Sequence, residues 1–108
     1  MSIKTYLGFD VGTKRTGIAI ANSLTNQASG IETVIHHKDG STNWQQIEQI
    51  INNHPADIIV VGVPLDENNK EQEIIFIARS FGRKIKERFD IEVVFVDEYL
   101  SSSEAKNQ

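Results

Sequence analysis

The sequence predicts an α/β fold: a mixed five-stranded sheet flanked by helices, its first three strands antiparallel and the rest in parallel βαβ units. Three observations predict it. Two short β-forming runs are joined across only Val11 to Arg15, and a connection that short joins antiparallel neighbours. Asp57 to Val63 is almost entirely apolar and β-branched, the pattern of a parallel strand covered on both faces. Ile74, Ala78, Phe81, Ile85 and Phe89 fall on one arc of a long helix, with Arg79, Arg83 and Lys86 on the opposite arc.

Each element has its own reason. Tyr6 to Phe9 is an apolar run ending at Asp10 and Gly12, and Thr16 to Ala21 is a second. Asn22 to Asn26 reads as a loop, and Gly30 to His36 as a third strand rich in β-formers. Thr42 and Gln45 fit a capping box. Trp44, Ile47, Ile50, Ile51 and His54 follow at helical spacing until Pro55. Pro64 ends the Asp57–Val63 strand, and Asp66 to Glu73 is polar and breaker-rich, hence a loop. Glu92 to Val96 is the last strand, with Asp97 and Glu98 at its carboxyl end. Ser101 to Gln108 reads as the first turns of a helix, capped by Ser101 to Ser103.

Composition narrows the function. With 108 residues, 39 % hydrophobic and 24 % charged, the chain reads as one ordinary globular domain. It has no Cys, which excludes disulfides and thiolate metal sites. No run is long enough to cross a bilayer, and the N-terminus lacks a signal-peptide core, so a cytoplasmic location is expected. A net charge of −4 argues against a broad polyanion-binding surface, but not against a local basic patch working with a metal.

The chemistry gathers at strand ends. In open α/β sheets, ligands collect beyond the carboxyl ends of the strands. Asp10 lies there on the first strand and Glu98 on the last. Right-handed crossovers would bring the two acids to one edge of the sheet. Apposed carboxylates repel unless a cation joins them, and hard oxygen donors select Mg²⁺ or Mn²⁺. Gly12 lets the backbone approach a ligand, and Lys14 and Arg15 in the same turn suit a phosphate. Spacing alone leaves plainer alternatives open. Asp10 could serve only a turn, and Asp97-Glu98 only a helix start.

Other residues point elsewhere. The Arg79, Arg83, Lys86 stripe could track a nucleic-acid backbone, but a solvated helix face is the simpler expectation. His36 and His37, as neighbours on a strand, would face opposite sides and share no metal. His54 suits a helix cap, and Trp44 a packing role.

Three segments, "LGFDVGTKRTGIAIANS" (7–23), "ADIIVVGVPLDENNKEQE" (56–73) and "VVFVDEYLSSSEA" (93–105), together resemble the YqgF/RuvX family, the bacterial Holliday-junction-resolvase-like proteins of ribonuclease H-like fold. The first segment alone is shared with actin-like ATPases and sugar kinases, but no Walker motif or second phosphate loop accompanies it here. The resemblance implies a metal-dependent endonuclease that matures the small-subunit (pre-16S) ribosomal RNA precursor or resolves Holliday junctions. It implies Asp10 and Glu98 as catalytic, metal-holding acids and Mg²⁺ or Mn²⁺ as the cofactor. Substrate contacts would come from Gly12, Thr13, Lys14, Arg15 and Glu71. A nucleic-acid partner is expected, no membrane partner, and a homodimer is among the arrangements open to the chain.

The chain departs from the family pattern in places. Tyr99 stands where the Asp-Glu-Arg motif has Arg, and Asn68-Asn69-Lys70 replaces a Gly-rich loop. Residues 1–108 are therefore expected to form one domain without the usual C-terminal helix and its Asp, for which Glu104 would substitute only if the last segment folded back. The alternative reading is a catalytically incomplete nucleic-acid- or ribosome-associated binding module of the same fold.

Overall fold

The computed structural model describes residues 3–25, 27–64 and 72–98, without the side chains of Pro64, Gln72, Asp97 and Glu98. Five strands, β1 (Thr5–Val11), β2 (Arg15–Asn22), β3 (Ala28–Ile35), β4 (Ile58–Pro64) and β5 (Glu92–Glu98), form one sheet in the order β3-β2-β1-β4-β5. β1 pairs antiparallel with β2, and β2 with β3, while β1–β4 and β4–β5 are parallel. The expected mixed sheet is present. Helices α1 (Trp44–Asn53) and α2 (Gln72–Phe89) make the crossovers.

Alternation along the strands defines two faces. Leu7, Phe9 and Val11 of β1 are buried with Ile18, Val34, Ile59, Val61 and Val63 of the neighbouring strands. The same cluster takes in Ile47, Ile50 and Ile51 of α1 and Ala78, Phe81 and Ile85 of α2. Both helices therefore lie on this one face. The Phe9 and Phe81 rings meet at 5.3 Å, and Trp44 stacks on Phe81 at 5.4 Å. α2 approaches β5 closely enough that a Cβ at Gly82 would come within 2.5 Å of the Phe95 ring. Only glycine fits there without a shift.

The opposite face carries Gly8 and Asp10 of β1, Gly17 and Ala19 of β2, Val60 and Gly62 of β4, and Val94 and Val96 of β5. Among the described residues no helix covers it, and Val94 and Val96 stay 39 % and 42 % exposed. Two-sided cover of the Asp57–Val63 strand was the expectation. Among the described residues, helices pack against one side of it, and Ile58 and Val60 on the other side are half-buried.

Element ends shift for local reasons. The N-cap of α1 is Asn43, whose side chain accepts from the Gln46 N–H, so the cap sits one residue beyond the expected Thr42 box. His54 closes the helix as expected, its N–H donating to the Ile50 carbonyl. Asp57 lies just before β4. Its carboxylate accepts from the Thr5 N–H at 2.9 Å and its own N–H donates to the Thr5 carbonyl, locking the starts of β1 and β4 together. β3 ends at Ile35, so His36 and His37 follow it rather than belonging to it. Of the expected Asp66–Glu73 loop, residues 66–71 lie outside the described residues, as do Tyr99, Glu104 and the terminal Ser101–Gln108 helix, while Gln72 and Glu73 belong to α2 rather than to the loop.

Candidate active site

β1 runs two residues further than its apolar run suggests, so Asp10 sits inside the strand rather than at its tip. Phe9 and Val11 on either side are buried against the helices, which turns the Asp10 carboxylate to the open face, where it is exposed. Across the sheet, Asp10 pairs with Gly17 on one side and Gly62 on the other. Gly17 continues to Thr33, and Gly62 to Val96. With no side chains at Gly8, Gly17, Gly30 and Gly62, the open face sinks into a trough of about 610 Å³ that Asp10 enters. A Cβ at Gly17 or Gly30 would meet nothing within 4 Å. The sheet thus offers one hard oxygen donor with clear space beside it, a setting that fits a hydrated divalent cation.

Glu98 occupies the β5 position paired with Pro64, two residues beyond the row that joins Asp10, Gly62 and Val96. Two strand spacings, about 10 Å, and a rise of about 7 Å separate the two backbone positions at standard sheet geometry. Among the described residues no three acidic or imidazole groups gather into a metal-binding cluster. Glu32 also lines the trough, but its carboxylate accepts from the Gln46 amide at 2.7 Å. Glu71 lies outside the described residues.

The turn between β1 and β2 carries the expected substrate residues. The Gly12 N–H donates to the Arg15 carbonyl at 2.9 Å, and a Cβ at Gly12 would lie 2.7 Å from that oxygen. Glycine is required for this tight closure. Thr13, Lys14 and Arg15 are exposed at the same end of the sheet as Asp10.

The turn is braced from behind by two residues that no motif singles out for this task. The His36 N–H donates to the Lys14 carbonyl, and His36 Nε2 lies 3.0 Å from the hydroxyl of Thr16. Thr16 is 1 % exposed, and His36 Nδ1 is buried without a partner. The only advance signal is a Thr at a core-facing position of an apolar strand. The basic stripe does not reach the trough. Arg79 packs 5.5 Å over the Phe95 ring, Arg83 donates to Ser80, and both are exposed on α2, across the sheet from Asp10.

A mixed sheet in this order, antiparallel through β3-β2-β1 and parallel through β1-β4-β5, defines the ribonuclease H-like class of α/β domains. Residues 4–108 match the RuvX family, described as Holliday junction resolvase, and the chain belongs to that family. A Coxiella burnetii (strain Dugway 5J108-111) protein named "Putative pre-16S rRNA nuclease" is 40% identical over 102 residues, 94% of this chain and 72% of that one. An Aeromonas salmonicida (strain A449) protein of the same name is 41% identical over 106 residues, 98% of this chain and 75% of that one. Among solved structures, an Aquifex aeolicus member of the Ppx/GppA family aligns with a TM-score of 0.49 at 13% identity. It covers 89% of this chain and 36% of that one, a likeness too slight to carry an argument.

Proposed function

We propose that the chain is a cytoplasmic, metal-dependent endonuclease that cleaves the pre-16S ribosomal RNA precursor, residues 1–108 acting as one domain. The observation that carries this reading is the exposed Asp10 carboxylate in a glycine-floored trough on the sheet face that no helix of the described residues covers. Family membership and the names of the relatives support it. Asp10 and Glu98 would hold Mg²⁺ or Mn²⁺. Such an ion, when bound, activates water and stabilises charge on the scissile phosphate. Lys14 and Arg15, fixed by the Gly12 closure, pair with backbone phosphates and set the register of the strand. Gly12, Thr13 and, by sequence position, Glu71 complete the substrate contacts.

The test is cleavage of labelled pre-16S RNA and of junction DNA, in Mn²⁺ and in EDTA, by this chain and by Asp10→Asn. Cutting of the RNA in Mn²⁺, lost in EDTA and reduced by about 10² or more in the variant, is expected. Preference for the junction would replace the RNA substrate with branched DNA. A rate that rises with the square of protein concentration would make a homodimer the active form.

A second reading, a nucleic-acid- or ribosome-associated binding module without cleavage, is favoured by one observation. Asp10 is the only carboxylate lining the trough that is not engaged with the helical layer, among the described residues. Binding of RNA with no cutting in any metal would establish it.

A further inference from the structure

The open trough is not the only concave feature. A groove of about 270 Å³ lies in the helical layer, between the loop leading into α1 and the first half of α2. Ser41, Thr42 and Trp44 line one wall, and Phe76, Ser80 and Lys84 the other. Phe76 is 66 % exposed, whereas Phe81 of the same helix is buried and Phe89 half-buried. It stands one helical turn before Ser80 and two before Lys84. Among the described residues no ion pair occupies Lys84. The groove thus offers an aromatic face, hydroxyl groups and a cation in sequence along one line. Nucleobases stack on such a face, and a phosphate meets such a cation.

The groove's place in the fold matters as much as its chemistry. β3 is parallel to β1 through two antiparallel steps, so the loop after β3 leaves the sheet at the end that carries the Gly12–Lys14 turn. The hydrogen bond from His36 to the Lys14 carbonyl ties loop and turn together. β4 is parallel to β1, so α2 also starts at this end. The Asp39 carboxylate, near the groove, is already engaged by the N–H and hydroxyl of Ser41. A chain lying in the trough and passing over the Lys14–Arg15 turn would reach the groove on the other side of the sheet.

We propose that this groove is a second nucleic-acid subsite, taking one or two single-stranded nucleotides that flank the segment held at Asp10, with a base stacked on Phe76 and a phosphate on Lys84. The proposal rests on the nucleic-acid reading of the protein and adds to it a surface remote from the acids.

The sole tryptophan of the chain, Trp44, lines this groove and reports on it directly. An oligouridylate of about eight nucleotides, a length in the range of single-strand sites, is titrated with two readouts: anisotropy of the labelled RNA and Trp44 emission. Saturable quenching of Trp44 in step with anisotropy is expected. Phe76→Ala weakens binding by about five-fold or more, the size of one lost base stack. Lys84→Gln lowers the salt slope by about 0.7. Both altered side chains in the groove are on the surface, and circular dichroism confirms that the variants are folded. Binding seen by anisotropy with Trp44 silent, or quenching indifferent to Phe76→Ala and Lys84→Gln, overturns the subsite and leaves Phe76 as a protein contact. No binding by either readout overturns both the subsite and the nucleic-acid reading beneath it.

Discussion

The two faces of the sheet use the same strands for opposite ends. On the helical face the buried positions of β1 and β4 are all apolar, and Phe9, Phe81 and Trp44 join ring to ring across three elements. On the open face the same strands present Gly8, Gly62 and the Asp10 carboxylate beside half-buried Tyr6, Ile58 and Val60, with the exposed valines of β5 at the edge. One face holds the fold and the other carries the proposed chemistry. Stability and activity should therefore respond to different substitutions, even between adjacent residues.

That separation can be broken most sharply at Phe9. Phe9→Ala removes the ring that meets Phe81 and should cost about 3–5 kcal/mol, read as a fall in the urea midpoint. Asp10→Asn, the next residue, should leave that midpoint within about 0.5 kcal/mol of the parent while removing metal-dependent cleavage. A large loss of stability in Asp10→Asn would refute the division. Gly82→Ala comes next. Its new methyl must displace the Phe95 ring, and a loss of about 1–3 kcal/mol in thermal or urea unfolding is expected.

Thr16→Val tests the brace behind the turn. It breaks the contact with His36 and should cost about 1 kcal/mol in urea unfolding. It should also lower cleavage by loosening Lys14 and Arg15, so it touches both faces at once. Val96→Thr on the open face should change stability by less than about 0.5 kcal/mol. The mildest effect is in acid. The Ser41 hydroxyl, and then its N–H, hold the Asp39 carboxyl below its ordinary value of 3.8. The order this adds to the loop is complete above that value and is lost as pH falls through the lowered one. Protection of the Ser41 amide, measured relative to its intrinsic exchange rate, should fall in acid before the sheet unfolds.

Much of this was legible before any coordinates. The β-branched run before Pro64 and the helical arc from Ile74 to Phe89 identify their elements, because periodicity reports burial directly. The short Val11–Arg15 connection gives the hairpin. Asp10 was visible as a candidate because an apolar run ends on it and Gly12, Lys14 and Arg15 follow, although the strand in fact continues through it to Val11. Less was legible where tertiary partners decide. An apolar run cannot say how many helices cover it, so the open side of β4 was hidden. Asn43 and Thr42 are both good caps, and their order depends on how the chain leaves β3. The pairing of Thr16 with His36 spans 20 residues and follows only from the β2–β3 register. The trough is made of absent side chains scattered over four strands, and no local motif encodes such a surface.

The alternation of Phe9, Asp10 and Val11 has one more consequence. A slip of β1 by a single residue against β2 and β4 would turn the carboxylate into the helical core and two large side chains out to water. Such a state is expelled by the same forces that build the core. Molecules that reach the native register therefore carry the acid on the correct side. Quality control of the acid proposed to hold the metal is written into the folding of the strand itself, and no separate checkpoint has to inspect it.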